Sequence, residues 1–186
     1  MVRLLEKYKS EVLPALKAEM GRENAMSLPK LNKIVVSVGL GKAVQESGGK
    51  ARENRRFTET EEQLAIVTGQ KPQVTKARKS VSQFKVREGW DVGLKVTLRG
   101  KRMYEFLDRL VALAIPRVRD FRGLNPGSFD GQGNYNMGLT ETGVFPEINP
   151  DRVTYQQGMN ITICTTARND AEARQLLTQM GMPFRS

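Results

Sequence analysis

Three short segments of this chain alternate apolar and polar residues with a period of two, and no other feature restricts the fold as tightly. In "LNKIVVSVG" Ile34, Val36 and Val38 share one side, leaving Lys33, Val35 and Ser37 opposite. In "DVGLKVTLRG" Val92, Leu94, Val96 and Leu98 point one way; Gly93, Lys95, Thr97 and Arg99 point the other. In "MNITICTT" the second side is Asn160, Thr162, Cys164 and Thr166. Side chains of a strand project alternately to its two faces, so each segment predicts a strand with one face to bury and one to leave open. These open sides, Lys33 to Ser37, Lys95 to Arg99 and Asn160 to Thr166, are short, neutral or basic, and contain no acid. Such a face can approach phosphates and 2′-hydroxyls without repulsion. It reads equally well as the ordinary solvent side of an antiparallel sheet.

Helical patterns fill the intervals. Val2 to Met20 places Leu4, Leu5, Tyr8, Val12, Leu16 and Met20 near helical spacing, with Pro14 expected to kink or divide it and Gly21 to end it. "LGKAVQESGGKARENRRF" is expected to be an exposed loop, broken by Ser47-Gly48-Gly49, that leads into a helix ending near Thr68-Gly69. Phe57, Leu64, Ile66 and Val67 are expected to supply that helix's apolar contacts. Val74-Thr75 suits a short strand. Met103, Phe106, Leu107, Leu110 and Ala114 form one helical face, closed by Pro116. Five glycines between Gly123 and Gly138 indicate an ordered loop or hairpin, and Asn169 with Glu172 has capping-box spacing for a last helix. The order is α-β-α-β-β-α-β-β-α, which lacks regular βαβ alternation and predicts an α+β fold with helices on one side of the sheet. With no repeat, low-complexity tract or linker, residues 1–186 read as one domain. Within it lie an N-terminal helix over 1–22 and a basic loop region over 69–90.

The net charge is +10, and it has an address. Gln70 to Arg122 holds 14 basic and five acidic residues, a net of +9, whereas the rest of the chain holds 16 and 15, a net of +1. Soluble surfaces ordinarily intersperse the signs. The densest part, "GQKPQVTKARKSVSQFKVREGW", has six cations against Glu88 alone, interleaved with residues that suit a loop presenting charge to a nucleic-acid backbone. A solvated charged face is the plain alternative. Phe84 and Trp90 either stack on bases or anchor the loop ends.

Enzymatic readings find little support. There is no histidine, which removes Ser-His-Asp and Cys-His catalysis and His-ligated metals. The single cysteine, Cys164, permits neither an intrachain disulfide nor a multi-cysteine zinc site. "VGLGK" and "SGGKA" resemble fragments of a phosphate-binding loop, but Val44 and Ala51 stand where that loop needs glycine and Ser or Thr. Asp120, Asp130, Glu141 and Glu147 would have to gather for magnesium-dependent nuclease chemistry. No apolar run approaches membrane-spanning length, and no signal-peptide core is present. The expectation is a soluble, cytoplasmic protein with no cofactor, metal, membrane or small-molecule substrate.

Longer motifs then carry a resemblance. "IVTGQKPQVTKARKSVSQFKVREGWDVGLKVTLRGKRMYEFLDRL", "AIPRVRDFRGLNPGSFDGQGNYNMGL", "FPEI", "TTARNDAEARQLL" and the terminal "GMPF", in this order, closely resemble the ribosomal protein L5 family of bacterial type. The likeness is strong from Leu31 to Phe184. It implies a curved, mostly antiparallel sheet with helices on one face and an open face that holds 5S rRNA. By that resemblance, Ser37, Gln70, Thr97 and Arg99, with Lys33, Lys71 and Lys95 beside them, turn toward 5S rRNA. Lys76, Arg78, Lys79, Ser80 and Ser82 turn toward the elbow of P-site tRNA. It further implies a place in the central protuberance of the large subunit, with 23S rRNA, neighbouring ribosomal proteins and a small-subunit bridge as partners. A free-standing RNA chaperone using the same surface is the alternative. Three departures stand out: Ser37 replaces a usual asparagine, "ESGGKARENRRF" is longer than usual and adds Lys50, Arg52, Arg55 and Arg56, and "LTETGVFPEI" replaces a more polar run.

Overall fold

The structure, a computed structural model, describes residues 3–49, 53–149 and 153–185. Val2, Lys50, Ala51 and Arg52, which figure in the expectations above, lie outside them. Five antiparallel strands form one open sheet in the order β2-β3-β1-β5-β4, with helices, and the fold is α+β. The strands are β1 (Leu31–Gly39), β2 (Gln73–Lys76), β3 (Asp91–Leu98), β4 (Tyr135–Leu139) and β5 (Met159–Thr165). The chain divides into two compact units, and each is taken by itself.

One unit draws on residues up to Val35, on Leu98–Met137 and on residues from Ile161. Its strands bury Ile34, Leu98, Ile161 and Ile163, and its helices meet them with Leu16, Phe106, Leu107, Leu110, Leu176 and Leu177. The helices are α1 (Arg3–Lys7), α2 (Leu13–Met20), α5 (Gly100–Arg109) and α6 (Asp170–Gln179). The proline at 14 does not break the first of these; a π turn over Tyr8–Val12 joins α1 to α2, and Leu13 N–H donates to Tyr8 O. The same device precedes Pro116, where Ile115 N–H reaches Leu110 O across the π turn Leu110–Ala114. Proline lacks an N–H and its ring collides with the carbonyl four residues back. One extra residue in the preceding turn takes that carbonyl out of line. Gly21 ends α2 in the left-handed region at φ 61°. At α6 half of the capping box forms as expected, because Asn169 Oδ1 accepts from Glu172 N–H at 2.9 Å. The Glu172 carboxylate accepts instead from Arg168 N–H and from Arg22.

The other unit is Val36–Thr97 with Gly138–Asn160. Val36, Val38, Leu94, Val96 and Met159 from the strands are buried with Phe57, Leu64 and Val67 of α4 (Arg55–Thr68). Two expectations are corrected here. Residues 41–46 are not loop but a short helix, α3 (Gly41–Glu46), because Ala43 and Val44 are fully buried. Ile66 contributes nothing to the core and is 56% exposed, since Phe57, Leu64 and Val67 already define the buried face and position 66 turns away from it. Gly69 closes α4 at φ 64°.

Gly93 sits mid-strand, opposite Thr75 of β2, where a Cβ would lie 2.6 Å from the backbone oxygen of Val38. Gly93→Ala should therefore destabilise the fold by about 1–3 kcal/mol, read as a fall of roughly 2–12 °C in Tm. The Arg22–Glu172 pair makes a second prediction. Burial works to raise the Glu172 pKa, but the Arg22 hydrogen bond, the Arg168 N–H and the two nearby guanidinium charges outweigh it and hold it below 4.5. A depressed carboxyl stabilises the fold above its unfolded pKa and loses that contribution as pH falls through the folded value. Arg22→Ala should cost Tm at neutral pH, and thermal melts should show the cost shrinking as pH falls below the ordinary carboxyl range and through the depressed Glu172 value.

Candidate nucleic-acid interface

Burial of alternate residues leaves the other set of each strand outward. In the unit containing β3, Ser37 and Thr97 are half-buried and Lys95 is exposed. Register places Gln73 of β2 opposite Lys95, which adds a neutral amide beside the ammonium. Asn160 and Gly138 are exposed on β5 and β4. In the unit containing the start of β1, Lys33 is half-buried and Arg99 exposed, the latter keeping extended backbone at φ −140°, ψ 163° just beyond β3. Arg99 Nη1 donates to Asn32 Oδ1 at 3.2 Å, and Thr162 Oγ1 donates to Asn136 Oδ1 at 2.8 Å. The partner that Arg99 meets here is a neutral amide. Among the five strands the only acid is Asp91, the half-buried first residue of β3. Cys164 is a half-buried free thiol among these neutral residues.

Gln70 and Lys71 have a different setting. They follow the left-handed Gly69 and line a groove of about 760 Å³ with Glu61, Glu62 and the exposed Ile66. The acid-free character of the strands does not extend to this pair. The sequence gives little warning, because Glu61 and Glu62 precede Gln70 by more than two helical turns.

Residues 77–90 link β2 to β3 as a hairpin without a core. Ala77 N–H donates to Trp90 O at 2.8 Å and Gly89 N–H to Ala77 O at 3.0 Å. Val81 and Val86 exchange two backbone hydrogen bonds further out, and Lys85 turns the chain at φ 49°. Lys76, Arg78, Lys79, Ser80 and Ser82 are all exposed. Ser80 Oγ is partly occupied, accepting from Glu88 N–H at 2.9 Å. Among the described residues, Lys76, Arg78 and Lys79 pair with no carboxylate. The two aromatics differ in their settings. Trp90 is an anchor: its ring lies against Gly49, whose φ of 97° and missing Cβ make room for it, with the Arg87 guanidinium 5.9 Å from the ring centre. Phe84 stays 65% exposed while its carbonyl accepts from Gln45 Nε2 of α3 at 2.6 Å. Gln45 was not among the predicted site residues, since α3 itself has no periodic signal.

The carboxylates considered for magnesium are not gathered. Asp130 accepts from Asn134 Nδ2 at 2.7 Å and from the N–H groups of Gln132 and Asn134, which hold a turn and lower its pKa, the Asn134 side chain most. Among the described residues no group of three His, Cys, Asp or Glu could hold a metal ion.

Comparison with known proteins decides the family. Residues 24–87 match the model of ribosomal protein L5, and residues 91–184 match that of the ribosomal L5P family C-terminus. The chain belongs to the ribosomal protein L5 family. It is 55% identical over 185 residues to the large ribosomal subunit protein uL5 of Rubrobacter xylanophilus, covering 100% of this chain and 99% of that one. The uL5 of Natranaerobius thermophilus is 54% identical over 185 residues, covering 99% of each. That of Anaeromyxobacter sp. strain Fw109-5 is 55% identical over 183 residues, covering 98% of each. The family is structural and non-enzymatic, and its place is the large subunit of the cytoplasmic ribosome.

The Trp90 anchor of this L5-family chain is open to a direct check. Because Trp90 is the only tryptophan, Gly49→Ala should displace the indole and shift its emission to the red. An unchanged spectrum would mean that the ring does not rest on Gly49.

Proposed function

We propose that this chain is a structural component of the large ribosomal subunit that holds 5S rRNA against the open side of its sheet. The hairpin over 77–90 reaches P-site tRNA. The observation that carries the reading is the outward set of the strands: Lys33, Ser37, Lys95, Thr97 and Arg99, with neutral amides and hydroxyls around them and no acid but Asp91. RNA duplex is recognised through its backbone and 2′-hydroxyls, for which exposed cations, short hydroxyls and amides are the matching groups. Gln70 and Lys71 would meet the same RNA at the margin of the acid-bearing α4 surface. Lys76, Arg78, Lys79, Ser80 and Ser82 suit a contact that must serve every tRNA, since backbone contacts carry little sequence information. In the central protuberance 23S rRNA and neighbouring ribosomal proteins complete the surroundings, with a bridge toward the small subunit.

The two surfaces are separable by mutation. Thr97→Glu places a carboxylate on the open side and should weaken 5S rRNA binding by about tenfold or more, roughly 1.4 kcal/mol. That exceeds the effect of reversing any one hairpin lysine. Replacing Lys76, Arg78 and Lys79 together by alanine should spare 5S rRNA affinity and flatten the log–log salt dependence of tRNA retention by about 2 to 3. Titrations of 5S rRNA against the isolated variants, with tRNA retention on reconstituted subunits, read both. Unchanged 5S binding by Thr97→Glu overturns the sheet docking. Loss of the protein from subunits at modest salt would favour the free-standing chaperone.

A further inference from the structure

The fragment "GLGK" at 39–42 is absorbed by neither surface above. It borders a groove of about 540 Å³ in the unit Val36–Thr97 with Gly138–Asn160, lined also by Gln45, Arg56 and Phe84. Two glycines here lack the usual reasons for being glycine. Gly39 and Gly41 are both outside the left-handed region, and a Cβ on either would meet nothing within 4 Å. Gly49 and Gly93 differ, since each has a neighbour that a Cβ would strike. Neither backbone conformation nor internal packing requires bare main chain at 39 and 41. Close approach of another molecule to the main chain is a further use of glycine.

The chemistry of the walls says which kind. Phe84 is 65% exposed, yet its backbone is pinned by Gln45, so an aromatic face is held in water on a fixed support. Lys42 is exposed, and among the described residues no carboxylate lines the groove. Arg56 is held in place by Gln157 Oε1 at 3.0 Å and by the Tyr155 ring, 5.6 Å from its guanidinium carbon. An aromatic platform, cations and amides without acids is the donor set that single-stranded nucleic acid takes up, bases stacking and phosphates meeting charge. A basic peptide finds no partner there.

We propose that this groove holds an unpaired RNA nucleotide, its base stacked on Phe84, its phosphate met by Lys42, and its backbone lying against Gly39 and Gly41. This contact shares the 77–90 hairpin through Phe84 but uses neither the open side of the sheet nor Lys76, Arg78 and Lys79.

The test compares a labelled single-stranded hexauridylate with inorganic polyphosphate, a polyanion without bases, at low salt on the full chain. The Gly39→Ala/Gly41→Ala double variant adds methyl groups where the structure has space, so its Tm should match or exceed that of the parent. Its hexauridylate affinity should fall at least about fivefold. Phe84→Ala should lower hexauridylate affinity by a similar factor and leave polyphosphate binding unchanged. The proposal is overturned if the parent chain fails to bind hexauridylate, or if both variants bind it as the parent does. It is equally overturned if Phe84→Ala weakens both ligands alike, which would reduce the groove to a charge effect. Where the double variant melts early, Phe84→Ala alone decides.

Discussion

The outward face of this sheet is fixed by what the inward face must bury. Ile34, Val36, Val38, Leu94, Val96, Leu98, Ile161 and Ile163 are all at most 3% exposed, and full burial of such a side chain contributes about 1.5–3 kcal/mol. Strand neighbours alternate, so seating these residues inward leaves no freedom for Lys33, Ser37, Lys95 and Thr97. A slip of one residue in β1 would carry Lys33 and Ser37 to the apolar side and strand Ile34 and Val36 in water. An unpaired ammonium in that interior costs more than any one apolar contact returns. The candidate RNA surface thus inherits its register from the core.

The hairpin over 77–90 obeys different rules because it has no buried residue to fix it. Among the described residues it is held by the Ala77–Trp90 backbone pair, the Trp90 ring on Gly49, and the Gln45 amide on the Phe84 carbonyl. Between base and tip the cations have no carboxylate partner among the described residues. In water two unit charges 4 Å apart interact by only about 1 kcal/mol, so the repulsion among Lys76, Arg78 and Lys79 is tolerable while the hairpin is solvated. A polyanion laid along them gains from every one.

Strand positions were legible in the sequence because burial is written into side-chain type with a period of two. Helix α3 was not, since six residues are too few to show a helical period and its burial rests on Ala43 and Val44 meeting the core. Ile66 and Val67 look alike as letters, but on a helix they point about 100° apart, and only Val67 reaches the interior. The π turns before Pro14 and Pro116 shift a backbone hydrogen bond and leave no trace in composition. In the candidate site, alternation identified the outward residues. It could not supply the pairing of Arg99 with Asn32 or of Thr162 with Asn136, which are 67 and 26 positions apart. Nor could it reveal that Gln70 and Lys71 share a groove with Glu61 and Glu62.

Where the acids go matters as much as where the cations are. Asp108 pairs with Arg3, Glu172 with Arg22, and Glu59 with Arg55, all on helices or at their ends. Asp130 and Asp170 bind backbone N–H groups of the 130–134 turn, with Asp170 taking Gly131 and Gly133. Each of these carboxylates has a structural partner away from the strands. A protein with the same +10 charge but with acids scattered among Lys33, Lys95 and Arg99 would cancel its own field at close range, whatever its total. Net charge draws a polyanion from a distance, but contact is decided within a few ångströms, where screening by salt is weakest. The strands of this chain keep that short range clear by using hydroxyls and amides where an ordinary soluble surface would alternate signs.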